Sequence, residues 1–360
     1  MRIVIAGGGT GGHLFPGIAI AEAFLERDPK NEVLFIGTER GIEKRVLGEL
    51  GYPLRLLDVE GIKGRGLAKV LGALWKIPGS MRQSFRILKD FSPQLVIGVG
   101  GYASGPAVLT AVLAGIPTAI AEQNALPGVT NRILGRFVKK IFLSFPDTGG
   151  WFPPGKTLVT GNPVRKIFRE AIRQETAARE TDRFVLLIFG GSQGAHVINM
   201  AMVEALNVLE EEKDHLMIIH QTGRLDYDEV VAAYAARGFA ADVRPFIMDM
   251  PDVYKKADLL LCRAGATSVA EITATGKASI LIPFARAVGD HQTKNAEVLV
   301  REEAAVMIPE SALTGQMLAE RIRELSRRPE MIRHMENNSR KLGNWKAAGD
   351  IADACTALLH

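Results

Sequence analysis

The chain has 360 residues, 47% of them apolar and 23% charged, with 37 glycines, which excludes a disordered chain and is too long for one small core. Its net charge of +4 is a mild basic excess that matters only where it is clustered, and without a recognised binding module nucleic acid is not an expected partner. Two cysteines far apart in sequence, Cys262 and Cys355, argue against a disulfide framework and for a reducing compartment.

Met1-Arg2 runs directly into the apolar residues 3–6 and then glycines, too short for the core of a signal peptide, so a cytoplasmic location is expected. After this strand come Gly7-Gly8-Gly9-Thr10-Gly11-Gly12-His13 and an amphipathic helix predicted from Phe15 to Glu26, with Pro16 in its first turn. Strand, glycine turn and helix make the grammar of a phosphate loop. Gly7-x-Gly9-x-x-Gly12 also matches the dinucleotide fingerprint, but the second strand, Val33 to Ile36, ends in Gly37-Thr38 where that site needs an acid. NAD is therefore disfavoured, and turn conformation alone is an open explanation for the glycines. A glycine turn needs no imidazole, so His13 either handles a hydroxyl proton, binds phosphate or caps the helix.

Between Gly61 and Lys89 stand seven basic residues (Lys63, Arg65, Lys69, Lys76, Arg82, Arg86 and Lys89) and no acidic one, interleaved with Leu67, Leu71, Leu74, Trp75, Met81 and Phe85. This reads either as a face for anionic lipid headgroups or as a solvated face over a core stripe. The glycine grammar returns at Gly100-Gly101-Tyr102-Ala103-Ser104-Gly105-Pro106, after a strand over 95–99. The most apolar region, Ala103 to Ala121, is cut by Pro106, Gly115 and Pro117, so a membrane-spanning helix is not expected. Asn124, in Glu122-Gln123-Asn124 beyond a strand over 118–121, serves either a turn or a ligand. Strands near 140–143 and 158–160 close the first half, and Gly161-Asn162-Pro163 leads past Arg165 into a charged helix. The expected division is 1–160, 161–340 and a terminal helix, 341–360, that is a candidate to return to the first domain.

The second half repeats the pattern: a strand over 185–189, Gly190-Gly191-Ser192-Gln193-Gly194, then strands over 216–220, 243–247, 259–262, 279–283 and 305–308. Ser192 either bonds phosphate or caps a helix. From Ser311 the tail is predicted helical, with Gly343 and Gly349 as breaks. Strands alternating with helices imply an α/β chain of two doubly wound parallel sheets, with ligands bound beyond the carboxyl ends of the strands.

The densest chemistry lies between Asp258 and Asn295. The strand over 259–262 breaks at Arg263-Ala264-Gly265 and opens a helix carrying Glu271, so a helix N-terminus offers an anion seat and a carboxylate can accept from a ribose diol. After the next strand, Asp290-His291-Gln292 and Asn295 bring amides that donate to and accept from sugar hydroxyls. Diphosphate seat, diol acceptor and hydroxyl reader together suggest a nucleotide sugar. The scattered histidines and cysteines lack zinc spacing, and no cofactor is expected.

The stretches GGGTGGHLFPGIAIAEAF at 7–24, GVGGYASGP at 98–106, EQN at 122–124, GNPVR at 161–165, GGSQGA at 190–195 and CRAGATSVAE through DHQTKNA at 262–296 together resemble the bacterial peptidoglycan N-acetylglucosaminyltransferase family. The resemblance implies two Rossmann-like domains facing across a cleft (the GT-B type), an amino-terminal acceptor domain and a carboxy-terminal donor domain. It implies transfer of N-acetylglucosamine from UDP to undecaprenyl-diphosphate-linked muramyl pentapeptide, forming a β-1,4 bond with inversion, at the cytoplasmic face of the membrane with 61–89 against its anionic surface. Donor contacts carried over are Thr10, Gly11, Gly12, Asn124, Arg165 and Ser192, with Ile247 holding uracil through its backbone. Ala266, Thr267, Ser268, Val269 and Ala270 would approach sugar and diphosphate, Glu271 the ribose and Gln292 the sugar hydroxyls. Relatives often have histidine before Glu-Gln-Asn; Ala121 stands here, which leaves His13 as the expected base, with Glu122 as its helper. A UDP-N-acetylglucosamine 2-epimerase, a transferase acting on other lipids and a UDP-sugar sensor are the competing readings.

Overall fold

The computed structural model describes residues 1–39, 42–59, 67–146, 149–173, 181–191, 193–285 and 288–359, by backbone alone at 67–77, 173 and 288. Ser192, Lys63 and Arg65 lie outside the described residues, as do the side chains of Lys69 and Lys76. The chain forms two compact units, Met1–Lys166 with Asn344–His360, and Ile167–Gly343.

In the first unit, β1 (Arg2–Ala6), β2 (Glu32–Thr38), β3 (Leu54–Leu57), β4 (Leu95–Gly98), β5 (Thr118–Glu122), β6 (Lys140–Leu143) and β7 (Thr157–Val159) form one parallel sheet in the order β3-β2-β1-β4-β5-β6-β7. The helices between them are α1 (Gly11–Arg27), α2 (Glu43–Glu49), α3 (Leu67–Phe91), α4 (Ser104–Leu113) and α5 (Val129–Leu134). Both faces of the central strands are covered, which is why they read as unbroken apolar runs. Ile3 and Ile5 of β1 pack with Leu14, Ile18 and Phe24 of α1, while Val4 and Ala6 point the other way, into the cluster holding Ala107, Val108 and Ala111 of α4. The period of two along one strand thus builds two cores.

The second unit repeats the plan with β8 (Phe184–Phe189), β9 (Leu216–Gln221), β10 (Ala240–Arg244), β11 (Leu259–Cys262), β12 (Ala278–Leu281) and β13 (Ala305–Met307), parallel in the order β10-β9-β8-β11-β12-β13. Its helices are α6 (Lys166–Arg173), α7 (His196–Ala205), α8 (Tyr227–Arg237), α9 (Met250–Lys256), α10 (Ala266–Thr275), α11 (His291–Arg301), α12 (Gly315–Ser326) and α13 (Pro329–Leu342). The last helix, α14 (Ala347–Thr356), belongs to the first unit. Its Ala348, Ile351, Ala352 and Cys355 are buried with α1, and Arg27 ties the pair by donating to the Asp353 carboxylate at 2.6 Å. That hydrogen bond and the guanidinium charge hold the Asp353 carboxyl below its usual range.

Three elements depart from the sequence reading for identifiable reasons. Helix α1 begins at Gly11 instead of Phe15, because Thr10 adopts the extended N-cap conformation and the last glycines are already helical. Strand β10 ends at Arg244, so Ile247 lies in the loop beyond it; an edge strand needs no buried face, and Ala240-Ala241-Asp242 carries little apolar signal. Gly349 sits inside α14, where its carbonyl accepts from Arg27.

Ile351 is fully buried between α14 and the first sheet's core. Replacing it by Ala should lower the stability of the first unit by about 2–5 kcal/mol, read as faster native-state hydrogen exchange along α1.

Candidate functional site: two switch points

In each sheet the strand order reverses direction at one place, between β1 and β4 and between β8 and β11. There successive loops leave toward opposite faces, which opens a crevice at the carboxyl ends of the strands. In the first unit the loops after β1 and β4 fill it with backbone. The Gly8 N–H donates to the Gly100 carbonyl at 3.3 Å, and a side chain on Gly101 (φ 80°) would collide with the Gly8 carbonyl. His13, in the first turn of α1, lies in this crevice. Its Nδ1 is 3.3 Å from Thr10 Oγ1, and a Cβ on Gly100 would come within 2.7 Å of its ring.

The phosphate-loop expectation for Gly7–Gly12 changes here. The Gly9 N–H donates to Glu43 Oε1 at 2.7 Å, and the Thr38 N–H approaches the same oxygen at 3.4 Å. Glu43, from α2, is wholly buried, and its Oε2 has no hydrogen-bond partner among the described residues. A carboxyl oxygen already occupies the Gly9 N–H, a donor that a pyrophosphate in this loop would use. The acid missing from the end of β2 has come from five residues further along.

Glu122, at the end of β5, is 3% exposed and accepts hydrogen bonds on both carboxylate oxygens. Oε1 takes the Asn124 N–H at 3.1 Å and Asn124 Nδ2 at 3.3 Å, while Oε2 takes the Gly128 N–H at 3.0 Å and Asn131 Nδ2 at 2.8 Å. This carboxylate shapes the turn that presents Asn124. Arg165, half-buried, lays its guanidinium 4.9 Å from the centre of the Phe15 ring on α1.

In the second unit the corresponding loops follow β8 and β11. Gly194 (φ 78°) is pressed so closely on Thr222 that any side chain would strike its carbonyl, which anchors the loop 190–195 against the end of β9. Across the switch point, α10 starts behind Gly265, which has no side chain to cap the helix, and Thr267 Oγ1 is buried without a partner among the described residues. Thr267 and Ser268 are half-buried in that first turn, whereas Ala266, Val269 and Ala270 are buried. Glu271 is 5% exposed, close enough to Cys262 to push its thiol pKa upward, secondary to the effect of burial. Gln292 Oε1 accepts the Phe284 N–H at 2.9 Å, and Asn295 Nδ2 reaches the Ala264 carbonyl at 3.3 Å. Arg263 ties the strand ends together, donating to the carbonyls of Ile282 and Pro283 and pairing with Glu310.

A polar chain absent from the sequence reading, exposed at His196 and buried beyond it, runs behind the β8 loop. Asp226 accepts from Asn199 Nδ2 at 2.7 Å and lies 2.9 Å from His196 Nδ1. Asn199 Oδ1 lies 3.0 Å from His220 Nε2, and His220 Nδ1 lies 2.9 Å from the Tyr234 hydroxyl. With one ring nitrogen on a hydroxyl and the other on an amide carbonyl, His220 is held neutral, and burial lowers its pKa to about 3. The available signal was a histidine and a glutamine closing an apolar strand. Among the described residues, no group of three His, Cys, Asp or Glu side chains could hold a metal ion.

Two Rossmann-ordered units with a glycine loop at each switch point define a two-domain α/β protein of the doubly wound class. The amino-terminal domain model of glycosyltransferase family 28 matches residues 3–143 and its carboxy-terminal domain model matches 185–356, so the chain belongs to this glycosyltransferase family. Along its whole length it is 58% identical to the UDP-N-acetylglucosamine–N-acetylmuramyl-(pentapeptide) pyrophosphoryl-undecaprenol N-acetylglucosamine transferase of Syntrophus aciditrophicus, covering 99% of that protein. The enzyme of the same name from Myxococcus xanthus is 51% identical over 100% of the chain and 93% of its own length. Among solved structures, Acinetobacter baumannii MurG superposes with a TM-score of 0.81 at 32% identity, over 99% of both chains.

Because His220 takes up a proton near 6.5 when unfolded but only near 3 when folded, the unfolded chain binds more protons between those values. The second unit should be fully stable above pH 6.5 and lose stability as the pH falls toward 3. Denaturant titrations across that range should show a shallower slope for His220→Gln than for the native chain.

Proposed function

We propose that this chain transfers N-acetylglucosamine from UDP-N-acetylglucosamine to the muramyl 4-hydroxyl of undecaprenyl-diphospho-N-acetylmuramyl pentapeptide, converting lipid I to lipid II. The observation that carries this reading is the uninterrupted 58% identity with a transferase named for that reaction. Donor binding belongs to the second unit. There the diphosphate is met by the N-terminus of α10, at Ala266 to Ala270, and by the loop holding Ser192. Ile247 reads uracil through its backbone, Glu271 accepts from the ribose, and the Gln292 amide donates to sugar hydroxyls, its oxygen being held by Phe284. The first unit serves the acceptor.

Transfer proceeds by one inverting displacement that forms a β-1,4 bond. His13 Nε2 removes the proton of the attacking hydroxyl while Nδ1 is oriented by Thr10, and Glu122 keeps the neighbouring Asn124 turn in place. Charge growing on the leaving UDP is met by the positive end of the α10 dipole, a stabilisation that requires no metal ion.

The acceptor's lipid places the enzyme peripherally, at the cytoplasmic face of the membrane. Among the described residues no helix is long and apolar enough to cross a bilayer. Arg82, Arg86 and Lys89 of α3 accompany the exposed Phe85 (52%) and Leu113 (72%), a basic and apolar surface suited to anionic headgroups.

Radiolabelled UDP-N-acetylglucosamine mixed with purified lipid-linked muramyl pentapeptide should give labelled, butanol-extractable product; no transfer to that acceptor would overturn the reading. His13→Ala should lower kcat by roughly 10²–10⁴-fold with UDP affinity changed less than about twofold, and near-native turnover would remove His13 from the mechanism. Replacing Phe85 by Ser and Arg82 by Glu together should shift the protein from pelleted to unbound with anionic vesicles, measured by co-sedimentation.

A further inference from the structure

Gln221 is the last residue of β9 and 2% exposed, so both ends of its amide need partners inside the protein. Both have one. Oε1 accepts the Ile247 N–H at 2.8 Å, and Nε2 donates to the Gly191 carbonyl at 2.8 Å. Strand β9 lies between β10 and β8, so one side chain at its carboxyl end reaches the loop beyond each neighbour. One loop carries Ile247 and the other is the glycine loop 190–194. Gly191 has a positive φ (106°), and its carbonyl also accepts the Gly194 N–H at 3.0 Å, so Gln221 holds the loop at the atom on which its own turn closes.

We infer that Gln221 is a positioning residue that couples recognition of the base to placement of the diphosphate loop, and that it sets the polarity with which the base is read. This rests on the proposed UDP-sugar site. Ile247 is 2% exposed and its N–H is committed to Gln221, so in the proposed site its carbonyl is the backbone group left to meet the base. A lone carbonyl selects a base with a ring N–H, as uracil has, over one with a ring acceptor, as cytosine has. Phe246 and Met248, the chain neighbours of Ile247, are exposed at 49% and 80% and offer apolar surface beside it. Base and diphosphate are therefore gripped through opposite ends of one amide, and loosening either end releases both.

The test uses calorimetric titration of the full chain with UDP, CDP and uridine. Native protein should bind UDP well ahead of CDP; if it binds no UDP, the proposed function fails before the coupling is addressed. Gln221→Met matches the side chain in size and removes both hydrogen bonds. It should weaken UDP by roughly tenfold or more and uridine by less, because only UDP uses the loop. Equal losses for UDP and uridine would confine Gln221 to the base, and unchanged UDP affinity would overturn the inference.

Gln221→Glu supplies a second readout that does not depend on the first variant folding. As a neutral acid it can still accept from Ile247 and donate to Gly191; ionised, it turns an oxygen toward the Gly191 carbonyl. Burial favours the neutral form, so UDP affinity relative to the native chain should recover as pH falls from 8 to 5. A ratio independent of pH, with both variants folded by circular dichroism, would refute the coupling.

Discussion

The structure depends on a constraint that parallel sheets impose on themselves. Strands joined by helices must send their connections to one face or the other, and where the choice changes, two loops separate and expose backbone at the strand ends. In both units that gap is lined by glycines because main chain, with its N–H groups and carbonyls, must approach main chain. Gly8 against Gly100 in the first unit and Gly194 against Thr222 in the second are the same solution found twice.

Backbone packed on backbone has little side-chain interlocking to define it, and in each unit buried polar side chains supply the definition. Glu43 holds the Gly9 amide, Glu122 gathers donors around the Asn124 turn, and Asn199 reaches the Thr222 carbonyl from α7. Each carries a desolvation cost that is tolerable only because its partners are aimed at it. The first loop shows how far this changes chemistry. Its glycine spacing resembles that of a pyrophosphate seat, yet a buried carboxylate takes the Gly9 N–H, and His13 stands on the next turn of chain. The second unit's α10 behaves differently, beginning at a glycine that offers no capping side chain.

Much of this was legible in the residues. Alternation of apolar strands with helices predicted two parallel α/β sheets, because a strand buried on both faces must be apolar throughout, and the glycine clusters marked the loops at the switch points. The polar residues Glu271 and Gln292 stood out beside apolar strands, and the structure places both in helices just beyond strand ends. Less visible were β3, whose Leu54-Arg55-Leu56-Leu57 carries a weak pattern, and the end of β10, where an edge strand left no apolar signature.

Sequence by itself determined the class of fold, the positions of the phosphate-sized loops and the membership in a sugar-transfer family, since each is written in local period, spacing and residue type. Only tertiary structure decided which donors those loops still have to offer. Glu43 reaches Gly9 across 34 residues and Gln221 reaches Ile247 across 26, while α14 crosses the whole second unit in sequence to complete the first core. Such pairings depend on which strands become neighbours, and strand order is set by packing the entire sheet, a property no window of sequence contains.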